Sequence, residues 1–395
     1  GTRHAAIGGS ITRAARRSAS FLRTMSGADQ VDAVVIGAGV VGVACAYELS
    51  KQFDTVVVIE REVGPGREIS SRNSGVVHAG IYYPADSLKT KLCIEGNRRL
   101  YAWCEEHDVP HRHTGKLIVA TSAEDERRLR AIAKHAAEVG AGELRMMSGE
   151  EARSEEPELR CELALHSPTS GVVDVHELIA SLLREFREAD GTVVYQTAVE
   201  EIEKTKGGWI IRTTDTMGDE MELEAGLVVN AAGLSAIDIA EKSGLAAEHR
   251  PWRLFPCKGS YFALGAGSPP TRNSLIYPLP RGGGLGVHIT ADIAGARRAG
   301  PDAEFVDTID YAVDESRVDR FAEAVARYLP AIRPEHLTPD YSGIRPKLVG
   351  PGGGFADFVI TNPPSQPGFI HLIGIESPGL TAALAIAVRV SDMVA

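Results

Sequence analysis

The chain is 395 residues long, 44% apolar, and carries a formal charge of −11. That length buries a large core and fits two domains or one domain with a large insertion, which excludes a chain disordered throughout. The acidic balance excludes a nucleic-acid surface, which phosphates would repel, and leaves small-molecule chemistry.

Residues 1–28 hold Arg3, Arg13, Arg16, Arg17 and Arg23, several Ser and Ala, and no acid. This is the composition of an organelle-import leader, mitochondrial in type, with a disordered tail as the alternative. No stretch reaches the roughly 18 to 20 apolar residues of a spanning helix, so any membrane contact is peripheral. A β-branched run at 31–36, helix formers at 40–50 and a second β-branched run at 55–60 predict a βαβ unit. A loop rich in Gly, Ser, Asn and His follows at 64–80, then a helix at 88–107, a strand at 115–121 and a charged helix at 123–139. Asp174 and Glu177 are spaced as a capping box for a helix at 175–188. Strands are expected at 192–196, 209–213 and 226–230, with a hairpin turn at 214–220. From 251 to 341 short apolar strands broken by Gly and Pro surround a helical pattern at 315–328. A strand at 369–373 and an Ala-rich helix from Gly379 close the chain.

The predicted fold is α/β: a Rossmann-type cofactor-binding domain with an inserted α+β substrate domain on a mostly antiparallel sheet. The first domain takes residues 29–112, 148–250 and 341–395, and the second takes 113–147 and 251–340. Cys45, Cys93, Cys104, Cys161 and Cys257 include no C-x-x-C pair, so they read as buried small residues in a reducing compartment, with no metal site.

Gly37, Gly39 and Gly42 form G-x-G-x-x-G between the first strand and its helix, and Glu60 ends the second strand. The first glycine permits the tight turn, the second lets a pyrophosphate approach the helix N-terminus, and the third allows close helix packing. Glu60 is placed to accept hydrogen bonds from an adenosine ribose. This motif alone leaves NAD and FAD open.

Three further stretches bear on that choice: Ser71-Arg72-Asn73-Ser74-Gly75-Val76-Val77-His78-Ala79-Gly80-Ile81-Tyr82-Tyr83, Val229-Asn230-Ala231-Ala232-Gly233, and Gly374-Ile375-Glu376-Ser377-Pro378-Gly379-Leu380-Thr381. Together they resemble the D-amino-acid oxidase group of FAD enzymes. Within that group the His-Ala-Gly-Ile-Tyr-Tyr stretch, Ser342-Gly343-Ile344-Arg345-Pro346-Lys347 and the Glu-Ser-Pro-Gly-Leu-Thr ending are most similar to the L-2-hydroxyglutarate dehydrogenase family. The resemblance runs from residue 31 to the end. It implies FAD as cofactor and oxidation of L-2-hydroxyglutarate to 2-oxoglutarate by hydride transfer to the flavin. A quinone and an electron-transfer flavoprotein are the two candidate acceptors. The rivals are a related oxidoreductase acting on an amino acid, a secondary amine or glycerol 3-phosphate, and a flavin-binding protein with a structural or regulatory role.

The residues agree with FAD, because Ser-Pro-Gly-Leu-Thr opens a second helix whose N-terminus suits a reduced flavin ring. We assign Gly37, Gly39, Gly42, Glu60, Arg61, Ser71, Asn73, Ser74, Val199, Ala232, Gly233, Ser377, Gly379, Leu380 and Thr381 to the cofactor surface. Oxidising a hydroxy acid requires a base at the hydroxyl, and His78 and His288 are the two candidates. His78, beside the flavin, also fits a role in holding it. A dicarboxylate requires cationic anchors, and Arg345 is the first choice because its fork matches a carboxylate, with Lys258 second. Tyr83 and Tyr277 are either hydrogen-bond donors or core aromatics.

Overall fold

A computed structural model describes residues 29–245, 252–272, 275–279 and 286–395. The import leader read at 1–28 lies outside the described residues. The first strand, Asp29–Ile36, is apolar on both faces and runs parallel to Val56–Ile59 and to Glu220–Asn230. Such a run has to be covered on both sides. Ala33 and Val35 pack under the helices Val40–Leu49, Val175–Glu188 and Gly379–Asp392. Val34 and Ile36 face the opposite cluster with Val199, Trp209, Ile239 and Phe369. The resulting eight-stranded sheet continues from Val56–Ile59 to Thr192–Val194, and on the other side to Trp209–Asp215 and Thr197–Lys204. The strand Glu220–Asn230 changes partner along its length: residues up to Ala225 pair antiparallel with Trp209–Asp215, while Val228 to Asn230 pair parallel with Phe369–Ile373.

A second, nine-stranded sheet is mostly antiparallel, with Lys116–Ala120 beside Leu275–Pro278 as its parallel pair. Its two faces follow the period of two along each strand. Leu117, Ile276 and Ile289 pack on the helix Val318–Ala326, whereas Ile118 and Tyr277 face the first domain with Val76 and Ile81. A small sheet joins Val76–Val77, Gly171–Val173 and His111–Arg112.

This pairing corrects the domain boundaries read from sequence. Leu163–Ser167, assigned with 148–250 to the first domain, pairs with Lys116–Ala120 in the second sheet. The strand Leu337–Lys347 runs through the boundary set at 341 and lies along Phe255–Leu264. Neither strand's composition says which sheet receives it; that is settled by partners far away in the chain. Local signals fared better. Asp174 accepts the amides of His176 and Glu177 at 3.0 and 3.1 Å, the turn falls between Asp215 and Glu220, and all five cysteines are free and buried. A reciprocal capping box sits at Ser148 and Glu151.

Candidate active site

The glycine loop has the shape its spacing requires. Gly37 adopts φ +104°, and a Cβ there would stand 2.7 Å from the Ala231 carbonyl oxygen. At Gly42 a Cβ would meet the Gly37 carbonyl oxygen at 2.0 Å, so only glycine lets the helix close on the turn. Gly39 ends the turn as the residue capping Val40–Leu49. The Glu60 carboxylate braces the loop by accepting the Ala38 amide at 2.6 Å and the Glu62 amide at 2.9 Å. Arg61 donates to Ser235 at 2.9 Å and pairs with Glu68.

From this loop a cavity of about 1940 Å³ runs between the domains to the active-site face of the second sheet. Gly37, Gly39, Gly42, Glu60, Arg61, Asn73, Ser74, Val199, Ala232, Gly233, Ser377, Gly379 and Leu380 line it, as do His78, His288 and Arg345. Two cofactor positions read from sequence do not. The Ser71 hydroxyl turns back to the Arg67 and Glu68 carbonyls, and its neighbour Ser70 lines the cavity instead, accepting the Val40 amide at 3.0 Å. Thr381 is buried beneath the cavity floor and accepts the His78 amide at 3.0 Å. Asn73 shapes its own turn, donating to the Ser70 carbonyl and accepting the Gly75 amide.

Lys258 is also displaced from its expected place. In the strand Phe255–Leu264, Cys257, Gly259 and Tyr261 line the cavity, so Lys258 points to the opposite face and pairs with Asp310 at 3.4 Å. It makes an ion pair in place of a substrate contact, its own side chain buried and its partner exposed, because a one-residue step along a strand reverses the side.

Arg345 does reach the cavity. Its guanidinium donates to the Asp302 carbonyl at 3.1 Å and the Cys257 carbonyl at 3.5 Å. Among the described residues no carboxylate pairs with it, since the Asp302 carboxylate is taken by Arg317 at 2.7 Å. Gly259 makes its room: a Cβ there would stand 2.7 Å from one guanidinium nitrogen.

His288, 4% exposed, stacks on Tyr277 with ring centroids 3.8 Å apart. Its Nδ1 lies 2.9 Å from the Gly286 carbonyl oxygen. A carbonyl only accepts, so Nδ1 carries the hydrogen and Nε2 keeps a bare lone pair. Burial, with Lys116 and Arg345 adding to it, pushes the imidazole down to about 3 despite the Gly286 bond. Burial, then Lys116 and His288, likewise hold His78 well below the ordinary histidine range. Both rings are therefore neutral near pH 7 and able to take a proton. His78 Nε2 lies 3.4 Å from the Ser377 hydroxyl, and its carbonyl accepts from Asn97 at 2.9 Å.

Two groups of charges escaped the sequence reading. Lys116 is wholly buried; its ammonium has no hydrogen-bond partner and rests 5.0 and 4.9 Å from the ring centroids of Tyr82 and Tyr277. Burial lowers it to about 8, so it remains largely a cation near neutrality. The signal was present: a lysine opening the strand Lys-Leu-Ile-Val-Ala, where burial of every residue is expected. The second group is Glu376, held between Lys89 at 3.0 Å and Lys347 at 3.1 Å, all three at the cavity wall. Burial opposes its ionisation, but the two ammonium groups hold its carboxyl below the usual range.

The cavity's volume, the glycine cradle and the second helix N-terminus at Gly379 together fit a flavin dinucleotide. The chain belongs to the FAD dependent oxidoreductase family, whose pattern matches residues 32–393. It is thus a flavoprotein oxidoreductase with FAD as its cofactor. It is 40% identical to the mitochondrial L-2-hydroxyglutarate dehydrogenase of Arabidopsis thaliana, over 92% of this chain and 83% of that one. It is 30% identical to the mitochondrial L-2-hydroxyglutarate dehydrogenase of Homo sapiens, over 92% of this chain and 88% of that one. Among solved structures, the FAD-bound L-α-glycerophosphate oxidase of Mycoplasma pneumoniae superposes with a TM-score of 0.82 at 23% identity, covering 92% of this chain and 94% of that one. The glycine oxidase of Geobacillus kaustophilus gives 0.77 at 22% identity, covering 93% and 95%.

Proposed function

We propose that the protein oxidises L-2-hydroxyglutarate to 2-oxoglutarate. The observation that carries this reading is the pairing, in one cavity, of a neutral imidazole with a bare Nε2 and a guanidinium with no carboxylate partner. Arg345 holds a substrate carboxylate through its two-pronged donors. His288 Nε2 takes the proton of the C2 hydroxyl, and the dianionic substrate beside it raises the affinity of that nitrogen for the proton as the reaction proceeds. His78, fixed through its backbone by Thr381 and Asn97, holds the cofactor's side of the cavity. Lys116 contributes positive potential that favours a doubly charged acid. Bound FAD supplies the acceptor for the hydride that leaves C2. Backbone N–H groups at Gly39 and Leu380, with Glu60 and Ser70, would hold it at the cavity wall.

Anaerobic titration of the bound flavin's absorbance tests the reading. L-2-hydroxyglutarate bleaches it within seconds, whereas glycine, proline and glycerol 3-phosphate leave it oxidised. Bleaching by one of those three alone overturns it. Reoxidation in the same cuvette by a soluble quinone or by an electron-transfer flavoprotein identifies the acceptor. Mitochondrial residence is proposed with it, supported by the arginine-rich, acid-free 1–28 segment and by the location in the plant and human relatives' names. Imaging of a carboxy-terminal fluorescent fusion checks that location.

A further inference from the structure

We propose that Glu105, His111 and His113 form a binding site for a divalent transition-metal ion of the zinc class, separate from the flavin cavity. A nitrogen of each imidazole and a carboxylate oxygen of Glu105 lie within 4.8 Å of one another. Zinc bonds these atom types at about 2.0 to 2.2 Å, which sets neighbouring ligands of a tetrahedron about 3.4 Å apart. Closure by on the order of an ångström therefore completes three positions and leaves the fourth to water.

The donors are already oriented. His111 Nδ1 lies 2.9 Å from the Val109 carbonyl oxygen, so Nδ1 bears the hydrogen and Nε2 is left as the ligand. A backbone carbonyl holding the far nitrogen is the usual support of a metal-binding histidine. The His113 ring is stacked on Tyr101 with centroids 3.8 Å apart and planes at 22°, which restricts its swing. Among the described residues, the Glu105 carboxylate has no ion-pair or hydrogen-bond partner.

The helix supplies a second, electrostatic reason. Leu88–Glu106 ends with Glu105 and Glu106 and has no basic residue in its last turn. Its terminus thus carries negative charge at the negative end of the helix dipole, an arrangement that a cation relieves. The ion would tie this terminus to the strand His111–Arg112, which joins through Gly171–Val173 to Val76–Val77, the strand leading into His78. The same helix donates Asn97 Nδ2 to the His78 carbonyl. A metal at this corner braces the frame behind the flavin cavity and takes no part in electron transfer.

The test uses the FAD-loaded protein, stripped with a chelator and then dialysed to equilibrium against zinc chloride, with zinc and flavin both quantified. Wild type takes up one equivalent of zinc and melts at a higher temperature with it. The His111→Ala/His113→Ala double variant keeps its flavin but takes up none and shows no zinc-dependent rise. Glu105→Gln, which keeps the side chain's shape, weakens uptake by about tenfold or more. The proposal is overturned if wild type takes up no zinc, or if the double variant, folded by its flavin content, retains the full equivalent or the full thermal shift.

Discussion

His288 lies flat on Tyr277, the ring planes 16° apart and the centroids 3.8 Å apart, while Gly286 holds the imidazole's protonated edge. The stack and the single hydrogen bond fix both the plane and the tautomer of the ring, so its free nitrogen has one direction in which to accept a proton. Glutamine preserves polarity there but has no basic nitrogen. His288→Gln is expected to slow flavin reduction by L-2-hydroxyglutarate by roughly a hundredfold to ten-thousandfold with FAD content unchanged. Stopped-flow absorbance measures it; a rate within twofold of wild type would remove His288 from the role of base.

Arg345 and Gly259 are expected to fail together. Arg345→Lys keeps the charge but loses the paired donors, and Gly259→Ala drives a methyl into the guanidinium and toward Pro301. Each should raise KM for L-2-hydroxyglutarate about tenfold or more, the worth of one charge-assisted hydrogen bond. Steady-state kinetics on both variants decides the matter, and an unaltered KM in Gly259→Ala would show that the guanidinium has another resting place.

The opposite expectation holds for Lys258. The pair with Asp310 faces away from the cavity, so Lys258→Ala should leave kcat and KM within about twofold, whatever the loss of its buried stem costs in stability. A large rise in KM would restore it as an anchor.

The pH dependence of activity is set by Lys116. Its ammonium persists below about pH 8 and is lost above, so KM for the dianionic substrate should rise as pH passes that value. In Lys116→Met the rise disappears. The acid limb of kcat/KM also moves to higher pH, because His288 and His78 lose a repelling neighbour. Profiles that coincide for the two proteins would show that neither imidazole feels the charge.

Stability should respond to acid through the same buried rings and through His371. Burial lowers His288 to about 3 and His371 to about 4, both below the ordinary 6.5 that the unfolded chain retains. The native state then binds fewer protons than the unfolded one. Their stabilisation is fully present above about pH 6.5 and is lost as the pH falls toward the folded values. Urea unfolding between about pH 7 and pH 4 should show this decline, with a shallower slope in His371→Gln.

Much of this was legible in the chain because it is local. The G-x-G-x-x-G turn, the Asp174 cap and the cavity-lining Ser377-Pro378-Gly379 entry each depend on neighbours a few residues away. The misread positions depend on direction or distance. Lys258 and Ser71 are each one residue from a cavity-lining neighbour, and Thr381 is one step beyond Leu380 at the start of a helix. Pattern places such a stretch at the site without saying which of two adjacent side chains turns inward. Leu163–Ser167 reads as a strand, but its partner is chosen by the second sheet. Lys116 was hidden by its neighbours: only the packing of Tyr82 and Tyr277 around it shows a charge kept under the cavity wall.

The partner-changing strand Glu220–Asn230 has a bearing on synthesis. Its far end waits for Phe369–Ile373, and the second sheet waits for Leu337–Lys347, so a chain leaving the ribosome holds its first strand long before either pairing can form. Until the last helix docks, unpaired strand edges of both sheets are open to other chains. A premature stop before Phe369 would therefore leave a sticky fragment for chaperones and proteases to clear, and dimmed expression would report such a lesion before any enzyme assay did.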